Sequence, residues 1–219
     1  MKAKEYIAAR TAKELQDGDV VNLGIGIPTL VVDYLPRDVR VFVHSENGIL
    51  GVGPSPGPEH ADADLVNAGK LPVTVEEGSS FFDSAASFGM IRGGHVDVTI
   101  LGTLEINQRG QIANWAVPGK AVLGVGGAMD LLEGAGKVIV ATMHTNKDGQ
   151  PKIVKETSLE LTSLRPVDLI VTELAVFCVR DGRLRLIELA PHSTLEEVRQ
   201  KTGAEFDIEW RENMETKGV

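Results

Sequence analysis

Strand-like and helix-like segments alternate along nearly the whole chain, several strands are apolar on both faces, and glycine turns twice join a strand to a helix. Together these observations predict an α/β fold: an open, mostly parallel sheet flanked by helices, with an antiparallel hairpin near one edge. A strand without polar alternation has no face to give to water, so helices must cover the sheet on both sides. No linker, repeat or low-complexity segment divides the sequence, and residues 1–219 are expected to form a single domain.

The elements follow in order. "AKEYIAARTAKEL" is rich in helix formers and stops at the turn cluster "QDGD". "VVNLGIGIPTLVVDYL" reads as strand, glycine turn and helix, with Pro28 suited to a first helical turn. "VRVFVHSE" and the shorter "LPVTV" read as strands, and "GSSFFDSAASFGMIRGG" as a helix capped by Ser79 or Ser80 and stopped by glycine. "HVDVTILGTLEI" is a strand running into a polar turn, and "GVGGAMDLLEGAGKVIVATMH" repeats the order of glycine turn, helix and strand. "VDLIVTELAVFCVRDGRLRLIEL" gives a strand and then a hairpin turning at Asp181-Gly182. "STLEEVRQKTG" is a helix with a Thr194–Glu197 capping box and Gly203 as its stop.

Composition narrows the function. Hydrophobic residues at 42% and charged residues at 24% over 219 residues describe a globular chain with a substantial core. A formal net charge of -9 with no basic run argues against nucleic acid as the main partner. The N-terminal segment has mixed charge and no apolar h-region, and no apolar run approaches the ~18 residues that span a bilayer. The expectation is a cytoplasmic protein. The single cysteine, Cys178, sits in a strand-like run and reads as a small buried hydrophobe.

Most catalytic motifs are missing. In "NLGIGIPT" the third glycine of G-x-G-x-x-G falls on Thr29, in "LGVGGAMD" it falls on Met129, and neither turn continues to GK[ST]. His44, His60, His95, His144 and His192 are scattered without metal-ligand spacing, and no G-x-S-x-G elbow is present. No metal and no cofactor is expected. The remaining feature is Glu46, which ends an apolar strand and opens the loop "NGILGVGPSPG". Ligands of open α/β sheets bind at the carboxyl ends of strands, and a glutamate needs no partner base to act as a nucleophile. An ordinary turn or cap residue is the competing reading. "GVGGAMDLLEG" offers backbone N–H groups ahead of a helix, either as an oxyanion site or as a tight turn only.

"SENGILGVGP" at 45–54 and "GGAMDL" at 126–131, with "NLGIGIPT", "LVNAGK", "SFFDSAASFGMIRGGHVDVTILG", "ANWAVPGK", "KVIVATMHTNKDGQPKIVKE" and "ELAVF", resemble the B subunit of the 3-oxoacid CoA-transferases (class I). The matches keep the family's order from residue 20 to about 190 and cover most of the chain. The resemblance implies a sheet like that of ribose-5-phosphate isomerase and its CoA-transferase relatives. It implies that Glu46 attacks an acyl-CoA such as succinyl-CoA, that a glutamyl-CoA thioester forms, and that a short-chain 3-oxo acid accepts the CoA. By the same carry-over the Gly127 and Ala128 amides hold the oxyanion, Asn47, Gly48 and Gly126 line the site, and coenzyme A is a substrate. The family's site lies between two halves. This chain resembles the glutamate-bearing half, which implies an A subunit in a heterodimer or heterotetramer.

Two departures stand out. Where the family has glutamine and valine after L-G-A, this sequence has "LGTLEI", and Thr103 and Glu105 near the acyl pocket are expected to bear on acid specificity. The segment after "LTSLRPVD" lacks a usual glycine, which reads as loop variation. Lys147 and Lys152 are candidates for the CoA phosphates. Acetoacetate or 3-oxoadipate with succinyl-CoA, and butyrate or acetate with acetoacetyl-CoA, remain open as substrate pairs. An acyl-CoA hydrolase on the same scaffold and a non-catalytic ligand-binding protein are the alternatives.

Overall fold

A computed structural model of the chain describes residues 1–116, Gly119 and 125–210. Val117, Pro118 and Lys120 of "ANWAVPGK" and Gly124 of "GVGGAMDLLEG" lie outside the described residues. Helix α1 (Ala3–Ala12) leads to β1 (Val20–Leu23), a 3₁₀ helix (Ile27–Tyr34), β2 (Phe42–Ser45), β3 (Ile49–Val52) and β4 (Val75–Phe81). Then come α2 (Ser84–Arg92), β5 (Val98–Leu101), β6 (Glu105–Asn107), β7 (Ile112–Ala113), α3 (Ala128–Gly134) and β8 (Lys137–Ala141). The chain continues through β9 (Ile153–Val154), β10 (Leu169–Val171), β11 (Ala175–Arg180), β12 (Arg183–Leu189), α4 (Leu195–Lys201) and β13 (Asp207–Ile208). No helix among the described residues is long and apolar enough to cross a membrane.

Ten strands form one sheet in the order β13-β12-β11-β10-β8-β5-β1-β2-β3-β4, and β7-β6-β9 form a small second sheet. The central strands β10, β8, β5, β1 and β2 are parallel, so their carboxyl ends share one edge. Antiparallel pairing occurs on both flanks, in β10-β11-β12 and in β2-β3-β4, not at one edge alone. The α/β expectation therefore holds, with a second antiparallel ribbon. Asp181 and Gly182 turn β11 into β12 with φ values of 52° and 70°, the left-handed pair that matches strand twist.

Alternate residues of the central strands enter opposite cores, as the period of a strand requires. Val138, Val140 and Ile170 pack on the side of α2, α3 and α4. Ile139, Ala141, Leu169 and Val171 pack on the side of α1 and the 3₁₀ helix, with Ile7, Ala12 and Val31. Cys178 is buried in β11.

Three local expectations are corrected. The segment after Pro28 is a 3₁₀ helix, not an α-helix. "LPVTV" contributes only Val75 to a strand, and Ser79 and Ser80 lie inside β4; Asp83 caps α2 instead, accepting from the Ala86 N–H at 2.8 Å. At the start of α4, Thr194 accepts from the Glu197 N–H, but the Glu197 carboxylate reaches forward to Lys201 rather than back to the cap.

Two contacts give measurable consequences. A Cβ on Gly134 would stand 2.2 Å from the Ile91 carbonyl oxygen, so α2 and α3 pack as closely as they do only because this side chain is absent. Gly134→Ala is expected to cost about 1–3 kcal/mol through forced separation of the two helices, read in urea unfolding; an unchanged midpoint contradicts the contact. His144 is fully buried, its Nδ1 beside the Thr172 hydroxyl and its Nε2 beside that of Thr202. Burial, aided by Lys201 and opposed by Glu197, lowers its pKa from 6.5 to about 4. The unfolded chain then binds the extra proton, so stability falls as pH drops from 6.5 toward 4, by roughly 3 kcal/mol at most. The pH dependence of Tm should flatten across that window in His144→Gln, and an identical slope contradicts the assignment.

Candidate active site

Strand β2 delivers Glu46 to the shared carboxyl edge, and the chain turns at once through Asn47 and Gly48 into antiparallel β3. The strand therefore ends in a tight hairpin, where the sequence suggested an open glycine-rich loop. Gly48 has φ 117°, and a Cβ there would lie 2.0 Å from the Phe82 carbonyl oxygen. The Gly48 N–H donates to the Ser45 carbonyl at 2.9 Å, and the Phe82 N–H donates to the Gly48 carbonyl at 3.0 Å. Glycine is needed here on both counts.

Glu46 is half-buried, and its carboxylate is anchored through one oxygen. Asn22 Nδ2 donates to Glu46 Oε2 at 3.0 Å. Asn22 is buried on β1, and the parallel register sets it opposite His44. Its amide nitrogen also lies 3.2 Å from both the His44 carbonyl oxygen and His44 Nδ1. Behind His44, the ring Nε2 is 3.1 Å from Ser87 Oγ on α2, and the ring stacks on Phe82 at 6.1 Å between centroids. Burial lowers the His44 pKa, with the Glu46 charge opposing, so the imidazole is neutral at neutral pH.

The "GGA" turn reaches the same place. A Cβ on Gly127 would meet Glu46 Cγ at 3.2 Å and Cδ at 3.6 Å, so the buried Gly127 lies directly against the carboxylate stem. Ala128 is half-buried, and its N–H is 3.4 Å from the Val125 carbonyl oxygen. Gly126, exposed with φ 58°, makes the bend before them. Glu46 and Gly127 thus converge, Gly48 packs on Phe82 in the hairpin beside them, and Asn47 turns outward and donates from Nδ2 to the Val66 carbonyl at 2.7 Å.

Other sequence candidates have contacts of their own. Glu105 accepts from the Ser158 N–H at 2.6 Å and hydroxyl at 2.7 Å, fastening a loop. The buried Thr103 hydroxyl donates to the Glu105 carbonyl at 2.6 Å, with the Ala113 carbonyl 3.1 Å away. Lys152 is engaged by the Thr103 carbonyl and the Thr142 hydroxyl, and burial lowers its pKa; it fastens the strand ends to the small sheet. Lys147 is exposed. Sequence reasoning missed Asn22, although a polar residue in the middle of the apolar run "VVNL" was the available signal.

Gly48 and Gly126 separate steric from conformational need. Gly48→Ala should cost upward of ~2–3 kcal/mol through its positive φ and the Phe82 clash. Gly126→Ala, with open space around the new Cβ, should cost on the order of 1 kcal/mol. Equal losses in denaturant titrations would contradict the Phe82 contact.

Comparison with known proteins places this geometry. The family model described as "Coenzyme A transferase" matches residues 4–201. The beta subunit of the acetate CoA-transferase of Haemophilus influenzae is 55% identical over 208 residues, covering 95% of this chain and 93% of that protein. The B subunit of a probable succinyl-CoA:3-ketoacid coenzyme A transferase of Bacillus subtilis is 50% identical over 206 residues, covering 94% and 95%. Among solved structures, the acyl-CoA transferase YdiF of Escherichia coli O157:H7 superposes with a TM-score of 0.74 at 23% identity, over 95% of this chain and 42% of that one. The last likeness bears on fold; the family model and the two sequence relatives show that this chain belongs to the coenzyme A transferase family.

Proposed function

We propose that this chain is the glutamate-bearing B subunit of a CoA-transferase that moves CoA from an acyl-CoA such as succinyl-CoA to a short-chain 3-oxo acid. The observation that carries the reading is the setting of Glu46: Oε2 accepts from Asn22 at 3.0 Å, and Gly127 leaves open backbone against the carboxylate stem. Among the described residues the carboxylate is held by one oxygen, which leaves the other, Oε1, for attack.

In this reading Oε1 attacks the thioester carbonyl, the C–S bond breaks, and CoA leaves as thiolate with an acyl-glutamyl anhydride left behind. The thiolate attacks Glu46 Cδ, releases the donor's acid as carboxylate and forms a glutamyl-CoA thioester. The acceptor carboxylate then attacks Cδ and expels the thiolate. That thiolate attacks the acceptor's acyl carbon, giving the new acyl-CoA and regenerating Glu46. No proton or electron is gained or lost over the cycle. The negative charge on the tetrahedral oxygen of the substrate's acyl carbon falls to the Gly127 and Ala128 amides, and when Cδ is attacked the charge gathers on Oε2, where Asn22 Nδ2 donates. Ala128's N–H must first leave its long contact with Val125, and an oxyanion donor of this kind contributes roughly a hundred- to a thousand-fold in rate.

A companion A subunit completes the site in this proposal. The supporting facts are that both sequence relatives are named as beta or B subunits, and that this chain spans 42% of the YdiF chain. Asn47 and Gly126 are exposed beside the carboxylate and are assigned to the rim that the partner and substrate cover. Acetate is the second acceptor to consider, because the 55%-identical relative is named for it.

Glu46→Gln in the assembled enzyme should lower transfer about a thousand-fold or more while Tm is unchanged. Wild-type enzyme given acyl-CoA should be inactivated by hydroxylamine at Glu46, and should transfer CoA to a 3-oxo acid in preference to acetate. Near-wild-type activity of Glu46→Gln sinks the mechanism. Release of CoA to water with no transfer to any acid favours the hydrolase, and preference for acetate overturns the substrate choice.

A further inference from the structure

We infer that His44 is a positioning residue for the transfer reaction, acting through the amide of Asn22 to aim Glu46 and anchored from behind by Ser87 on α2. The inference rests on the reading of Glu46 as nucleophile and goes beyond it. Four groups stand in line: Ser87 Oγ, the His44 ring, Asn22 Nδ2 and Glu46 Oε2, at successive separations of 3.1, 3.2 and 3.0 Å.

The chemistry of the line fixes its direction. An amide NH2 only donates, so the tautomer that suits His44 Nδ1 at 3.2 Å from Asn22 Nδ2 leaves that nitrogen unprotonated, sharing with the equidistant His44 carbonyl the N–H that Glu46 does not take. A neutral imidazole carries one proton, which therefore sits on Nε2 and points at Ser87 Oγ. In that tautomer the ring favours the amide orientation with nitrogen, not oxygen, toward Glu46. A flipped amide would set its carbonyl oxygen against three acceptors: His44 Nδ1, the His44 carbonyl and the Glu46 carboxylate.

Ser87 and His44 are both buried, and the Phe82 ring lies along the imidazole at an interplanar angle of 13°. The ring is held on its edge by hydrogen bonds and on its face by stacking. It transmits the position of α2 to the carboxylate through the Asn22 amide. A histidine at this place supplies what an aliphatic residue in the same apolar strand cannot: an acceptor at one end of the ring and a donor at the other.

The test compares two variants in the assembled enzyme. His44→Leu fills the space without the acceptor and should lower kcat roughly 10-fold, the worth of one hydrogen bond to a positioned amide, with KM for acyl-CoA unchanged. His44→Gln can offer its amide oxygen to Asn22 and its amide N–H to Ser87, and should restore most of the kcat. Nitrogen-15 spectra of the wild-type chain should show the proton of His44 on Nε2. Equal loss in both variants at matched Tm, a loss confined to KM, wild-type rates in His44→Leu, or a proton on Nδ1 would each overturn the inference. Glu46→Gln run alongside separates the cases: if it too is active, the nucleophile reading fails, and if it is dead while His44→Leu is not, only the role of His44 fails.

Discussion

The parallel pairing of β1 with β2 is the constraint on which the site depends. It sets Asn22 opposite His44, and from there the Asn22 amide reaches the carboxylate of Glu46, one residue past the end of β2. A register slip of one residue would turn Asn22 toward the α1 side of the sheet, because side chains alternate across a strand. Val21 occupies that side now, fully buried. The apolar contacts that hold Val21 in its core thus also hold Asn22 in the site, and packing and chemistry share one register.

A second constraint comes from the segment from Phe82 to Ile91, which meets the elements around the carboxylate at several points. The Phe82 N–H and carbonyl close over Gly48, its ring stacks on His44, Ser87 meets His44, Phe88 approaches Gly127 and Ile91 approaches Gly134. Asp83 caps the helix that carries these residues, and Arg92 pairs with Asp130 on α3. Missing side chains at positions 48 and 134 let the hairpin and α3 approach the backbone of Phe82 and Ile91, and the missing side chain at 127 makes room for the side chains of Glu46 and Phe88. Van der Waals contact at that range tolerates little displacement, so the carboxylate is set by rigid elements, although it sits at a turn.

The legible part of this arrangement in the sequence was the part written locally. The apolar runs, the Asp181-Gly182 turn and the "SENG" and "GGA" motifs lie in contiguous residues, and they led to the α/β class, the hairpin and Glu46. Asn22 and His44 were not recognised as partners because the pairing of parallel strands is non-local: nothing within "VVNLG" says which strand will lie beside it. β4 was misread for a different reason. Its residues are almost all exposed, so "VEEGSSF" has no apolar alternation to mark it, and its serines imitate a helix cap. Glu105 drew notice as a departure from the family pattern and Lys152 by its place in a loop, and their contacts with Ser158 and with Thr103 and Thr142 are tertiary, so no local stretch of sequence announces them.

The family assignment and the geometry meet in one atom-level claim: Glu46 forms the bond to CoA through Cδ while Asn22 keeps hold of the oxygen that stays. The most direct measurement is a crystal structure of the assembled enzyme trapped with acyl-CoA. The account predicts sulfur bonded to Glu46 Cδ, with the remaining carbonyl oxygen still within hydrogen-bond distance of Asn22 Nδ2. Coenzyme A bound with no covalent link to Glu46, or linked to another residue, would contradict it.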